Sequence, residues 1–160
     1  KLVETADFVI ESFPPGYMDK LGLGYSTLEK VNPGIIMASI TPFGQTGPYK
    51  DYKASDIVAW AMGGVMYMWG DVDRPPIHVS HHSQAHLDAG IQAAMAAMIA
   101  LFYRHMTGKG QHIDLSIQET VVWLTQMLTA YWDMVKVIQW RGGLRERPGV
   151  THRTRGLWPC

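Results

Sequence analysis

Cysteine is nearly absent. Cys160, at the last position, is the only one in 160 residues. That excludes a disulfide framework and makes a reducing, cytoplasmic compartment the expectation. Charge in excess of either sign is also missing, with 14 Lys and Arg against 14 Asp and Glu. Without a basic surplus no nucleic-acid partner is expected, and no charge block reads as a tail. Long apolar runs are missing as well. The best stretch, 85–103, is interrupted by His86, Asp88, Gly90 and Gln92, so no membrane partner is expected. The N-terminal residues carry no signal-peptide pattern. Nor is there a dinucleotide fingerprint: "LGLGY" at 21–25 is not G-x-G-x-x-G and does not directly follow a strand.

What is present is a globular composition, 47% hydrophobic and 18% charged. Lys1 leads almost at once into "DFVIE" (7–11), a β-branched and aromatic run that reads as a strand, and the end at "GLWPC" has no polar tail. The chain is therefore expected to be a piece of a longer protein. "SFPPGY" is a turn. Residues 17–31 are weakly helical, interrupted by Gly22 and Gly24, and Ser26 with Glu29 has the spacing of a capping box. "IIMASI" (35–40) is continuously apolar and reads as a strand buried on both faces. Strand, helix and strand in about 35 residues imply a parallel sheet. Helices are expected over 54–68, 83–106 and 116–139, with a turn and short strand in "GKGQHIDLSI". The tail 141–160 is basic, and its Arg141 to Arg155 could meet phosphates or simply pack.

Three constellations invite chemistry. His78, His81, His82 and His86 cluster, and His82 with His86 has the i,i+4 spacing of a helical metal pair. No Glu stands beside the first His and no distant third ligand is evident, so no metal is expected. "TPFGQTGPY" (41–49) lies at the carboxyl end of the second strand, where open α/β sheets bind ligands. Its amides are suited to an anion or a thioester. Trp123, Met127, Tyr131, Trp132 and Met134 read as core or subunit interface rather than a cofactor box.

"ADFVIESFPPGYMDKLGLGYSTLEKVNPGIIMASITPFGQTGPY", "ASDIVAWAMGGVM" and "AGIQAAMAAMIALFYRHMTGKGQHIDLSI" resemble, in that order and spacing, the family III CoA transferases of the CaiB/BaiF type. The similarity covers at least residues 6–126. It implies an α/β fold, a Rossmann-like parallel sheet with flanking helices, present here in part. Residues 1–140 would be part of the large domain, and 141–160 the start of the connection toward a small domain. The family moves CoA between an acyl-CoA and a carboxylic acid, so coenzyme A enters as substrate. Its subunits interlock, which implies a homodimer or a heterodimer with a paralogue.

The resemblance also assigns residues. The family's CoA-contacting turn falls on Ser12, Phe13, Pro15 and Gly16; its usual amide side chain and cation are replaced by Ser12 and Pro14. Lys20 and Lys53 match basic positions, Gly44 and Gln45 lie in the glycine loop, and Asp56 matches an acidic residue beside the active site. Ser55 stands where the racemase branch has a His, which argues against racemisation. The family's nucleophilic Asp stands four residues before the Gly that opens the Ala-rich helix. That Gly is Gly90, so the position is His86, with Asp88 two residues on, about 200° around a helix. Three readings follow: transfer with His86 in place of the carboxylate, a catalytically silent subunit beside an active paralogue, or a thioester hydrolase or lyase with His86 as base.

Overall fold

The computed structural model describes residues 1–71, 73–78, 82–138 and 141. A short helix α1 (Leu2–Thr5) leads into strand β1 (Phe8–Glu11). Helices α2 (Tyr17–Lys20) and α3 (Tyr25–Val31) follow, then strand β2 (Ile36–Thr41). Helix α4 (Asp56–Met62), a 3-10 turn (Val65–Met68) and the long helix α5 (Gln84–Thr107) come next. Strand β3 (His112–Ser116) and helices α6 (Ile117–Trp123) and α7 (Gln126–Val135) complete the described chain. The three strands are parallel, in the order β1-β2-β3, with Phe8 opposite Ile36 and Met37 opposite His112.

The continuous apolar character of β2 has the expected cause: it is the middle strand and is covered on both faces. Met37 joins Leu28 and Ile35 in a core under α3. Leu115 joins Ala59, Trp60, Ala85, Ala89, Ala93, Ile117 and Val121 in a second core, and Ile40 packs against it. Fully burying an aliphatic side chain of this size is worth about 2 kcal/mol. The alanine ladder of α5 lets that helix lie close to the sheet. Its opposite side is exposed and apolar, with Ile91, Met95, Met98, Ile99, Phe102 and Met106. By length and composition alone α5 is apolar enough to cross a membrane, unlike the sequence expectation, a test that the core helices of water-soluble proteins also pass; 22% of its most apolar window is buried.

Glycine motifs mark close approaches. A Cβ at Gly110 would collide with the Ile35 carbonyl, and the Gly110 amide donates to Pro33 O at 2.8 Å, locking "TGKGQ" under the start of β2. Arg104 reinforces this corner by donating to Asp7 Oδ1 at 2.7 Å and Gly34 O at 3.1 Å. A Cβ at Gly24 would meet the Asp19 carboxylate.

Several boundaries differ from the sequence expectation. Ser26 is not a cap: the N-cap lies two residues earlier, at Gly24 in extended geometry, and α3 starts at Tyr25. The same S-x-x-E spacing recurs at Ser116 and Glu119, and there Ser116 Oγ accepts the Glu119 amide at 3.3 Å. The helix expected over 116–139 is two helices, broken at Leu124 and Thr125. No residue of α7 is buried, and Trp123, Met127, Trp132 and Met134 are exposed, so this stripe is not core within the described residues. The expected connection over 141–160 lies, except for Arg141, outside the described residues.

Candidate active site

Asp56 is the first residue of α4, and Ser55 before it makes no side-chain cap. The Asp56 carboxylate instead reaches across to the start of α5. Its Oδ1 accepts the Ala85 amide at 2.8 Å and the His86 Nδ1 proton at 3.1 Å, while Oδ2 accepts from His78 Nε2 at 2.8 Å. The N-cap residue Ser83 makes no side-chain cap, so Asp56 supplies from a distance the acceptor that α5 lacks locally. A carboxylate is favoured there by the positive end of a 24-residue helix.

Burial pushes the Asp56 carboxyl up. Hydrogen bonds from the His86 and His78 rings and from the Ala85 and His86 amides outweigh it and hold the group below its ordinary range. The carboxylate is therefore ionised near neutrality and can only accept. Each ring nitrogen facing it must carry the proton. In its neutral form His86 is therefore the Nδ1–H tautomer, with a lone pair on Nε2, and the ring is half-exposed. Such a group can act as base or nucleophile.

Asp88 lies elsewhere. Residues 86 and 88 are both within regular helix, without the unwinding that would bring the second carboxylate round, and Asp88 Oδ1 accepts from Gln84 Nε2 at 3.3 Å. His82 precedes the first turn of α5, so it lacks the helical i,i+4 relation to His86. Among the described residues no group of three or more His, Cys, Asp and Glu is placed to hold a metal. His81 falls outside them.

A cavity of about 480 Å³ opens beside the carboxyl ends of β1 and β2. Pro15, Gly16 and Gln45 line it, together with Lys50, Ser39 and His112. Phe13 sits next to this turn with its ring against Tyr17 at 4.9 Å, and its amide donates to the buried Glu11 carboxylate at 2.7 Å. Ser12, Lys20 and Lys53 are exposed and are not among the lining residues. The floor is polar: Ser39 Oγ and His112 Nε2 are 2.9 Å apart, and Tyr25 stacks on His112 at 5.3 Å. Burial, then the Glu29 charge, pushes the Tyr25 phenol up.

In the glycine loop the Gln45 amide donates to both oxygens of Asp114 at 2.9 and 3.0 Å, while Gln45 itself still lines the cavity. The amide is committed to holding the loop. A Cβ on Gly44 would touch the same carboxylate. Asp114 and Lys50 are the site residues that sequence reasoning missed, and His78 was singled out only within the histidine cluster, not as a partner of Asp56. Alternation along β3, which sends Asp114 and Leu115 to opposite faces, was the available signal for the first.

The model of CoA-transferase family III matches residues 1–159 of this chain. The chain belongs to that family. It is 38% identical over 149 residues to the succinyl-CoA–D-citramalate CoA-transferase of Chloroflexus aurantiacus, covering 93% of this chain and 35% of that protein. It is 36% identical over 159 residues to the succinyl-CoA:(R)-benzylsuccinate CoA-transferase subunit BbsE of Thauera aromatica, covering 99% of this chain and 37% of the relative. Among solved structures, a CaiB/BaiF family protein from Brucella suis superposes with a TM-score of 0.83 at 37% identity, covering 89% of this chain and 37% of that one. The chain thus spans about a third of the length of the family III relatives it matches. The mixed α/β architecture, a parallel sheet with flanking helices, is that of the CaiB/BaiF proteins.

Proposed function

We propose that the full-length protein binds an acyl-CoA and moves CoA to a carboxylic acid, with His86 as the residue that meets the thioester. The observation that carries this reading is the Asp56–His86 hydrogen bond at the start of α5, four residues before Gly90. The hydrogen bond orients the ring and leaves Nε2 unprotonated. His86 Nε2 attacks the thioester carbonyl, the C–S bond breaks, and CoA leaves as thiolate. The acylated ring becomes cationic, and the Asp56 carboxylate on its Nδ1–H compensates that charge. The acceptor carboxylate then attacks the acyl-imidazolium, forming a mixed anhydride and returning the neutral ring. CoA thiolate attacks the acceptor's carbonyl in that anhydride, releasing the donor acid and the new thioester. Ser12, Phe13, Pro15, Gly16, Lys20, Gly44, Gln45 and Lys53 are the proposed CoA contacts. Lys50 adds a cation at the cavity beside Gln45.

The test is rapid quenching of the full-length protein with acyl-CoA, followed by mass mapping. Acyl label on His86, absent from His86→Gln, is the expected result. Label on Asp88, or no binding of acyl-CoA at millimolar concentration by calorimetry, overturns the reading. A second reading is favoured by the relative from Thauera aromatica, which is described as a subunit. In that case the chain pairs with a paralogue carrying Asp at the position of His86, and turnover occurs there. Transfer that requires the paralogue, with no label on His86, is the outcome that selects it.

A further inference from the structure

His78 stands eight residues before His86 and outside α5, and neither composition nor family resemblance gives it a role. It is nevertheless the more enclosed of the two histidines on Asp56, with its side chain 20% exposed against 50% for His86. Two residues one helical turn apart on α4 hold it. Asp56 takes its Nε2 proton at 2.8 Å, and the buried Trp60 ring meets it edge-on at 5.9 Å and 84°. The backbone beside it is also fixed, because the Ile77 amide donates to Trp69 O at 3.3 Å and Pro75 and Pro76 stiffen the approach. A side chain held at this many points is not a passive surface group.

The arrangement on Asp56 is unequal. Oδ1 serves both the Ala85 amide and His86, while among the described residues Oδ2 has His78 as its side-chain donor. Without that donor Oδ2 loses its side-chain partner, and rotation of the carboxylate toward its remaining donors, the Ala85 and His86 amides, is the available relief. Rotation removes Oδ1 from the line it shares with the Ala85 amide and His86 Nδ1. The ring would then be free to place its proton on Nε2, the form that neutral imidazole favours in water, and the lone pair would move to the wrong nitrogen. We propose that His78 is a positioning residue: by anchoring Oδ2 of Asp56 it keeps His86 in the Nδ1–H tautomer with Nε2 bare.

The proposal deepens the reading of His86 given above and rests on it for its catalytic meaning, but the tautomer can be measured without any substrate. The experiment is long-range 1H–15N correlation of the histidine rings in full-length, 15N-labelled protein near neutral pH. His86 is assigned through His86→Gln. The wild-type His86 is expected to show a protonated Nδ1 and an unprotonated Nε2. His78→Leu, which removes the donor, is expected to convert that pattern to Nε2–H or to an average of the two. His78→Gln, whose amide reaches to where Nε2 stood, is expected to restore it. If the leucine variant does not fold, His78→Asn, whose shorter amide does not reach Oδ2, takes its place. An unchanged His86 tautomer in the donor-less variant overturns the proposal, as does a glutamine variant that behaves like leucine. A wild-type protein with the expected tautomer and no CoA transfer refutes the functional reading while leaving the role of His78 intact.

Discussion

Asp56 and Asp114 are both aspartates that accept backbone amides across the chain, but their surroundings differ. Asp56 is 13% exposed and gathers two imidazoles and the Ala85 amide in the first turn of α5. Asp114 is exposed and places both oxygens on one loop amide, that of Gln45. Water can replace an acceptor at Asp114 but has little access at Asp56. Donor count and burial together, rather than residue type, decide how much of the site depends on each carboxylate.

The largest separation is expected on removing each carboxylate. Asp56→Ala should cost about 3 kcal/mol in urea unfolding of the full-length protein, because it strands the buried Ala85 amide and the largely enclosed His78 ring at once. Equal losses for Asp56→Ala and Asp114→Ala would end the comparison. Acidification tests the same carboxylate by another route. The Asp56 value in the folded state lies below its unfolded value, so its ionised form favours folding. That contribution is complete above the ordinary carboxylate range and is lost as pH falls through the depressed value. Asp56→Asn should therefore flatten the acid limb of a stability-versus-pH curve, and an unchanged limb would contradict the assignment. Asp114→Ala comes next, with an expected loss of about 1 kcal/mol and a loosened Gln45 amide visible as faster hydrogen exchange. The smallest effects concern the two S-x-x-E spacings. Ser116→Ala should cost about 1 kcal/mol as a true N-cap, and Ser26→Ala no more than about 0.5 kcal/mol, both read from thermal unfolding.

That last pair shows where sequence reading reaches its limit. Ser26–Glu29 and Ser116–Glu119 look alike as strings. They differ because Ser116 ends a strand with extended backbone, whereas α3 has already begun at Tyr25, after Gly24 packs under the Asp19 carboxylate. Local spacing does not encode which residue leaves the helical region first. The strands were legible, since β2 is apolar on both faces and "TGKGQ" needs Gly110 against Ile35. Counting back from Gly90 identified His86, and its partner Asp56 was already a candidate. His78 was not legible as their companion, because its contact spans 22 residues and passes through a proline turn. The partner of the Gln45 amide was hidden for the same reason: its acceptor is 69 residues away, on β3.

The contact between Asp56 and Ala85 has a topological side. It ties the ends of a segment of nearly thirty residues that runs from α4 through the 3-10 turn to α5. Entropically, closing a loop of that length depends only weakly on how many residues it contains. Inserting or removing a few residues there would change the closure cost by well under ~1 kcal/mol, while one carboxyl group keeps the two helix starts together.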